Sequence, residues 1–469
     1  MYVAATLFHT RSLPDLVQPL ILSLLPGPAF GFLIDQLQHS GKVVEEVGVL
    51  AAAAALVMTL GWAISRVSPR LLPMAFVGGL AWLGTTIAAT ALTTSPAVPT
   101  LTTAAAWFLV WSAWEAALLL GIRVRGHSTA TDPSRRRFIN QAGVAVVLAS
   151  GGYVLWRRLP DWVSALLAPP EAAAAAAIPT PTSAFYLVSK NFQDPVLEAA
   201  RWQLAVSGLV GRRLTLDYRA LLALPAEEEF VTLECISNRV GGRLLSTGLF
   251  AGPTLRELLS RAQPAADAKN VSFVFADGYR EQLALDEVAG TSRVLLATHL
   301  NGSPLPPEHG YPLRLVVPGR YGMKSSKWLT RIEVGDGTGP TGFWEARGWD
   351  PDAEVKTTAR IVTPADGDHI AGRVIRVTGI AYAGGRGIRG VELSADGGAT
   401  WIPAVVDLPL SQLTAVGWHF DWRPAAAGDH VLEARARDGL GRLQSVEPTN
   451  SFPSGAGGYH SISVNVARG

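Results

Sequence analysis

Phe230-Val231-Thr232-Leu233-Glu234-Cys235-Ile236-Ser237-Asn238-Arg239-Val240-Gly241-Gly242 contains the only cysteine of a 469-residue chain. Its reading decides what kind of domain surrounds it. Phe230–Glu234 has the apolar, β-branched character of a strand, and Gly241-Gly242 marks the end of a tight loop. A thiolate just past a strand and before such a loop can face a cleft, and Arg239 and Arg243 nearby would favour the ionised form. One cysteine cannot form an internal disulfide. Three readings stay open on these residues: a small buried apolar side chain, a nucleophile paired with a histidine, or a metal ligand. Zinc is disfavoured because it commonly takes several Cys or His ligands, and no local cluster exists. A single soft sulfur suits a metal whose other ligands arrive with a cofactor.

Outward from the cysteine, residues 184–340 read as a soluble domain of mixed strands and helices. Strand-like runs at Phe230–Leu233, Val271–Phe275 and Leu313–Val317 alternate with helical patches such as Thr254–Ala262. Turns are expected at Asp277-Gly278, Asn301-Gly302 and Pro306-Pro307. His299, in the Asn-Gly turn region, reads as structural. Five motifs then follow in order: Phe185–Asn191 (FYLVSKN), Leu233–Arg239 (LECISNR), Ala276–Tyr279 (ADGY), His309–Arg314 (HGYPLR) and Gly322–Trp328 (GMKSSKW).

Together these resemble the sulfite oxidase family of molybdopterin enzymes, over about residues 184–469. The resemblance implies an α+β molybdopterin domain with Cys235 as metal ligand, and Cys235, Arg239 and Asp277 as catalytic residues. Asn191, Asn238, His309, Arg314, Lys324, Ser325, Ser326 and Lys327 are then the cofactor-binding set. The chemistry is consistent: a pyranopterin brings two dithiolene sulfurs and an anionic phosphate, and Arg can fork onto a phosphate. Three positions depart from the sulfite enzymes. Lys190 stands where they have an arginine and Phe192 where they have a histidine. Val240 replaces a second arginine after Asn238-Arg239, and Ser454–His460 supplies none. Poor sulfite oxidation is the expectation. No CxxCH haem motif is present, so electrons are expected to pass to an external carrier.

Residues 1–160 are expected to form a transmembrane bundle of about five helices, near 16–34, 47–65, 71–92, 104–122 and 138–157. Each approaches the roughly 20 residues that cross a bilayer. Arg11, Arg66, Arg70, Arg123, Arg125 and Arg135–Arg137 fall on one side, which places the N-terminus in the cytoplasm. Five crossings put everything after residue 158 outside it. Ser134-Arg135-Arg136-Arg137-Phe138-Ile139 resembles a twin-arginine export motif, a route that carries folded, cofactor-loaded proteins. Residues 161–183, with six consecutive alanines and two Pro-Thr pairs, are expected to be a linker.

Residues 360–469 are expected to be an all-β immunoglobulin-like sandwich, with strands near Val374–Ile380, Gly390–Leu393, His430–Arg437 and Ser461–Val466. The region resembles the dimerisation domain of the same family, which implies a homodimer. Ser394–Trp401 fits a sialidase Asp-box, but it occurs once, and a β-hairpin turn is the simpler reading. The net charge of +2 and the lack of a basic stripe argue against a nucleic-acid partner. The functions in view are oxo transfer on a small substrate, sulfoxide reduction or sulfite oxidation in the envelope, and a non-catalytic membrane-tethered binding protein that kept the fold.

Overall fold

The structure, a computed structural model, describes residues 178–191, 194–289 and 293–467. Of these, 178–189 and 194–467 belong to one compact unit. The expected membrane helices, the twin-arginine segment and Phe192 lie outside the described residues. Among the described residues, no helix is long and apolar enough to cross a membrane.

The central domain is built on three sheets. A five-stranded sheet runs in the order Leu214–Asp217, Gln203–Gly208, Leu329–Gly335, Asn270–Phe275, Arg280–Ala284. Its one parallel pair joins Gln203–Gly208 to Leu329–Gly335. The alternation in Asn270–Phe275 buries Val271, Phe273 and Phe275, which pack with Trp202, Leu204, Val206 and Ile332 and remove apolar surface from water. The helix Leu255–Ala262 covers this core. It starts where expected because the Thr254 hydroxyl accepts the amide of Glu257, a standard N-cap. A second sheet of four strands begins with Glu227–Glu234, the strand leading to the cysteine, followed by Leu245–Gly252 and the short His299–Leu300 and Ser303–Pro304 hairpin. Arg314–Val316 pairs with Leu295–Ala297.

The C-terminal region is a two-sheet sandwich. One sheet holds Thr358–Thr363, Ile375–Tyr382, Val416–Trp422 and Val405–Val406. The other holds His369–Ile370, His460–Val466, Gly428–Asp438, Ile388–Ser394 and Ile402–Pro403. Trp418, Val377, Leu432 and Val464 fill the space between them. Ser394–Trp401 is the hairpin turn between Ile388–Ser394 and Ile402–Pro403, with Asp396 accepting from Ser394 and Thr400.

Two features differ from the sequence expectation. The end of the expected linker is part of the folded domain: Thr180 is buried, its amide donates to Thr247 and its carbonyl accepts from Asn301. A Pro-Thr pair reads as spacer only until a neighbouring strand takes up its backbone groups. The segment between the domains is also folded. Trp349, Ala353 and Val355 pack with Ile236 and Leu245 from the central domain and with Ile380 and Tyr382 from the sandwich. The cysteine strand is the outermost of its sheet, yet its free edge is covered. Thr232 donates its amide to Leu413 (3.0 Å) and accepts from Ala415 (2.8 Å) and the Tyr382 hydroxyl (2.8 Å), while Ser411 donates to Phe230 (2.7 Å).

Candidate active site

Cys235 follows the last residue of the cysteine strand, in a loop that closes on itself. Its amide donates to Leu244 at 2.9 Å, and its carbonyl accepts the amide of Asn238 at 2.9 Å. The thiol is half-buried and lies 3.1 Å from the Ser237 hydroxyl. Burial pushes the thiol pKa up, and hydrogen bonds from Ser237 oppose this. Arg239 and Arg243 were expected to favour the ionised thiol. Both are exposed, and water screens a guanidinium there.

Asn238, expected among the cofactor-binding residues, is engaged within the loop itself. Its side chain donates to Glu234 (2.9 Å) and accepts the amide of Leu244 (3.0 Å). Both ends of the amide therefore fasten the loop. The neighbouring Glu234 is buried, with one carboxylate oxygen unpartnered. Burial lifts its pKa to about 7, against the pull of Asn238 and Arg360.

The HGYPLR and GMKSSKW motifs come together beside this loop. Gly322 donates its amide to the carbonyl of Glu234 at 2.6 Å. Arg314 is buried, and its guanidinium donates to the carbonyls of Ser325 and His309, both at 3.2 Å. Among the described residues no carboxylate lies within ion-pair distance of it, and burial brings its pKa down to about 10. His309 is 2% exposed, and its Nδ1 has no hydrogen-bond partner. Burial, with Arg314 and Lys327 adding, holds its pKa near 4, so the imidazole is neutral. Lys327 donates to the carbonyl of Glu308 at 2.9 Å and lies over the Trp328 ring. Gly310, at φ +113°, lets the Lys327 backbone approach to where a Cβ would sit 3.1 Å away. The Tyr186 hydroxyl senses both partners of this site. Burial raises its pKa well above the usual value, with Cys235 adding and Arg314 opposing. FYLVSKN contained this residue, but nothing in the motif marked the tyrosine.

Lys324 contradicts the sequence expectation. It is buried and paired with two carboxylates, Glu281 at 2.7 Å and Glu345. An ammonium already matched by two acids has no surplus charge for an anionic cofactor. Period-two alternation in Arg280–Ala284 turns Glu281 inward, a signal visible only once that strand is recognised. The Ser325 hydroxyl accepts the amide of Val317 (2.9 Å), and the Ser326 hydroxyl donates to Met323 (2.8 Å). Both shape the segment. The Asp277 side chain accepts the Tyr279 amide at 3.0 Å, bracing its own turn. Asn191 accepts from Lys190 at 2.7 Å. His299 lies 2.9 Å from the Thr298 hydroxyl and stays structural.

Arg314 thus supplies a buried positive charge, Lys327 a part-buried one that also meets Asp194 at 3.7 Å, and neutral His309 an unused imidazole nitrogen, all beside the cysteine loop. That donor set fits an anionic cofactor. Among the described residues no three His, Cys, Asp or Glu side chains group as a metal cage.

Residues 191–344 match the family profile described as the oxidoreductase molybdopterin binding domain. The central domain is therefore similar to the molybdopterin-binding domain of oxidoreductases. Residues 358–434 match a bacterial Ig domain. Human mitochondrial sulfite oxidase is 31% identical over 269 residues, covering 49% of this chain and 49% of that one. The NADPH nitrate reductase of Aspergillus niger is 30% identical over 250 residues, covering 43% of this chain and 29% of its own. The chain thus spans about half the length of the sulfite oxidases it matches. The crystal structure of a sulfane dehydrogenase from Paracoccus pantotrophus shares the fold, at a TM-score of 0.52 and 22% identity, over 62% of this chain and 84% of that one.

Proposed function

We propose that this chain is a molybdopterin-dependent oxidoreductase, anchored in the cell membrane with its catalytic domain outside the cytoplasm. It performs two-electron oxo transfer on a small substrate, with Cys235 as the protein ligand to molybdenum. The observation that carries the reading is the buried Arg314 guanidinium without a carboxylate partner, set with His309 beside the cysteine loop. A buried cation left without a counter-ion is costly, and an anionic cofactor supplies one. When bound, that cofactor provides the metal centre at which oxygen and two electrons are exchanged.

The residues of this chain do the rest. Cys235 offers one soft ligand from a loop fastened by Asn238. Arg314 and Lys327 meet anionic groups, and neutral His309, whose other ring nitrogen bonds the Thr182 backbone, can accept at Nδ1. Arg239, exposed at the mouth of the loop, can meet the substrate. In the oxidising direction a water oxygen joins the substrate, two electrons pass to an external acceptor and two protons reach solvent. In the reducing direction each is reversed. With Lys190 and Val240 at positions where the sulfite enzymes have arginines, a neutral sulfoxide is favoured over sulfite, a dianion that needs converging positive charge.

The test is molybdenum and pterin analysis of the purified full chain, followed by kinetics with sulfite and a sulfoxide panel using artificial electron carriers. Molybdenum near one equivalent is expected, with sulfite turnover weaker than that of the best sulfoxide by about a hundredfold. Cys235→Ser should fold and lose turnover. Full activity in Cys235→Ser with an unchanged molybdenum EPR signal would remove the ligand assignment.

A further inference from the structure

The sandwich reaches the cysteine loop through two side chains that no sequence motif singled out. Arg360 lies in the strand Thr358–Thr363, between Ala359 and Ile361, which both face the sandwich core. Alternation therefore turns Arg360 to the opposite face, where its Nη1 donates to the carbonyl of Gly242 at 2.6 Å. It is 8% exposed. His460 begins the strand His460–Val466 on the other sheet. Its Nδ1 accepts the amide of Ile361 at 3.0 Å. The far edge of the same ring lies against Gly241, where a Cβ would sit 2.2 Å from Nε2. Gly241 has φ +76°, so the ring and the backbone conformation both require glycine there.

These contacts fall on the turn that closes the loop. Gly242 donates its amide to Arg239, and Asn238, four residues after Glu234, ties that carboxylate to the amide of Leu244. A narrow gap of about 10 Å³, room for about one water, remains between the loop and the sandwich, lined by Glu234, Asn238, Arg239, Gly242, Arg360 and Tyr382 among others. Arg360 Nε and one oxygen of Glu234 are both buried there without partners. The opposite charges of Arg360 and Glu234 therefore act on one another across the loop.

We propose that Arg360 and His460 of the C-terminal sandwich are positioning residues for the Cys235 loop, holding the Val240–Gly242 turn so that the thiol faces the cofactor side. The inference rests on Cys235 being the ligand, but its test does not need the metal. Cys235 is the only thiol in the chain, so alkylation of the cofactor-free full chain by a maleimide reports this loop alone. Arg360→Met should raise the Cys235 alkylation rate about tenfold, the change expected from losing one charged hydrogen bond. Arg360→Lys keeps a donor and should stay within about threefold of the parent. His460→Asn keeps an acceptor for Ile361 but removes the ring edge from Gly241, and should also speed alkylation.

Tryptophan fluorescence on the same samples reports whether the sandwich is folded. If Arg360→Met fails to fold, His460→Asn and Arg360→Lys decide the matter. Parent-like rates in every folded variant would overturn the proposal. So would equal acceleration in Arg360→Lys and Arg360→Met. In the cofactor-loaded chain the same variants should alter the molybdenum EPR signal and lower molybdenum occupancy by about 10–100-fold in affinity. A changed alkylation rate with unchanged EPR and occupancy would show that Cys235 is not the ligand, which separates failure of the metal reading from failure of the positioning.

Discussion

At the scale of single residues, His309 shows how burial selects a protonation state. Its ring is enclosed and packs edge-on against Phe185 at 5.5 Å, and two cationic neighbours oppose a third charge. The folded pKa of about 4 lies below the ordinary histidine value of 6.5. The stability this group contributes is therefore complete above pH 6.5 and is lost as pH falls from there toward 4, because the unfolded chain takes up the proton first. The full effect is about 3 kcal/mol once both states are protonated. Urea denaturation followed by tryptophan fluorescence at pH 4 to 8 should show this decline, and His309→Gln should flatten it. An equally steep decline in His309→Gln would assign it to other groups.

Cys235 stands out in the sequence because it is alone and sits at a strand end, and Arg314 because of its motif. A motif records residue type but not where a side chain spends its hydrogen bonds, as Asn238 and Lys324 show. For Asn238 the partners are Glu234 and Leu244, within a few positions; for Lys324 they are Glu281 and Glu345, far along the chain.

At the scale of elements, the Gly322–Trp328 segment is fixed from both sides. Its backbone meets Glu234 at one end, and Lys324 anchors its middle to two acids. Glu281 is itself held by the Tyr279 hydroxyl at 3.2 Å, and that hydroxyl also donates to Met323 at 3.0 Å. Burial raises the Glu281 pKa to about 7, with Lys324 pulling it down. Replacing Lys324 by Met leaves two buried carboxylates facing each other. That loss should cost about 3–5 kcal/mol, read as a lower denaturation midpoint. The triple variant Lys324→Met, Glu281→Gln, Glu345→Gln should recover most of it. No recovery would mean that packing, not charge, sets the loss.

Strands with clear alternation, such as Asn270–Phe275 and the sandwich strands Ile375–Tyr382, Ile388–Ser394, Gly428–Asp438 and His460–Val466, lie within a few residues of the expected ends. Gln203–Gly208 and Leu329–Gly335 are not among the expected strands. Each mixes polar residues with one buried face, a pattern that emerges only when the parallel partner is known.

At the scale of the whole molecule, the proposed placement outside the cytoplasm has its own test. A reporter fused after Gly469 that works only outside the cytoplasm should be active, and the double variant Arg135→Lys, Arg136→Lys should abolish its export. Equal export in that variant would remove the twin-arginine route and leave the positive-inside argument standing. The sequence places a mixed domain before an all-β one, and residues 191–344 and 358–434 match a molybdopterin-binding and an Ig profile in that order. The joining of the central domain to the sandwich is not legible there, because its hydrogen bonds span up to 183 positions.

That joining limits how the protein can be recombined. The edge of the cysteine strand is completed by Ser411, Leu413, Ala415 and Tyr382, all from the sandwich. A bare strand edge is a template for pairing with another chain. A chimera that grafts a foreign immunoglobulin-like cassette after residue 357 would expose that edge unless it also carried the 411–415 loop and a tyrosine at 382. Domain shuffling between relatives should therefore succeed only when the crossover keeps this loop with its strand, and the two halves of the molecule are inherited as a pair.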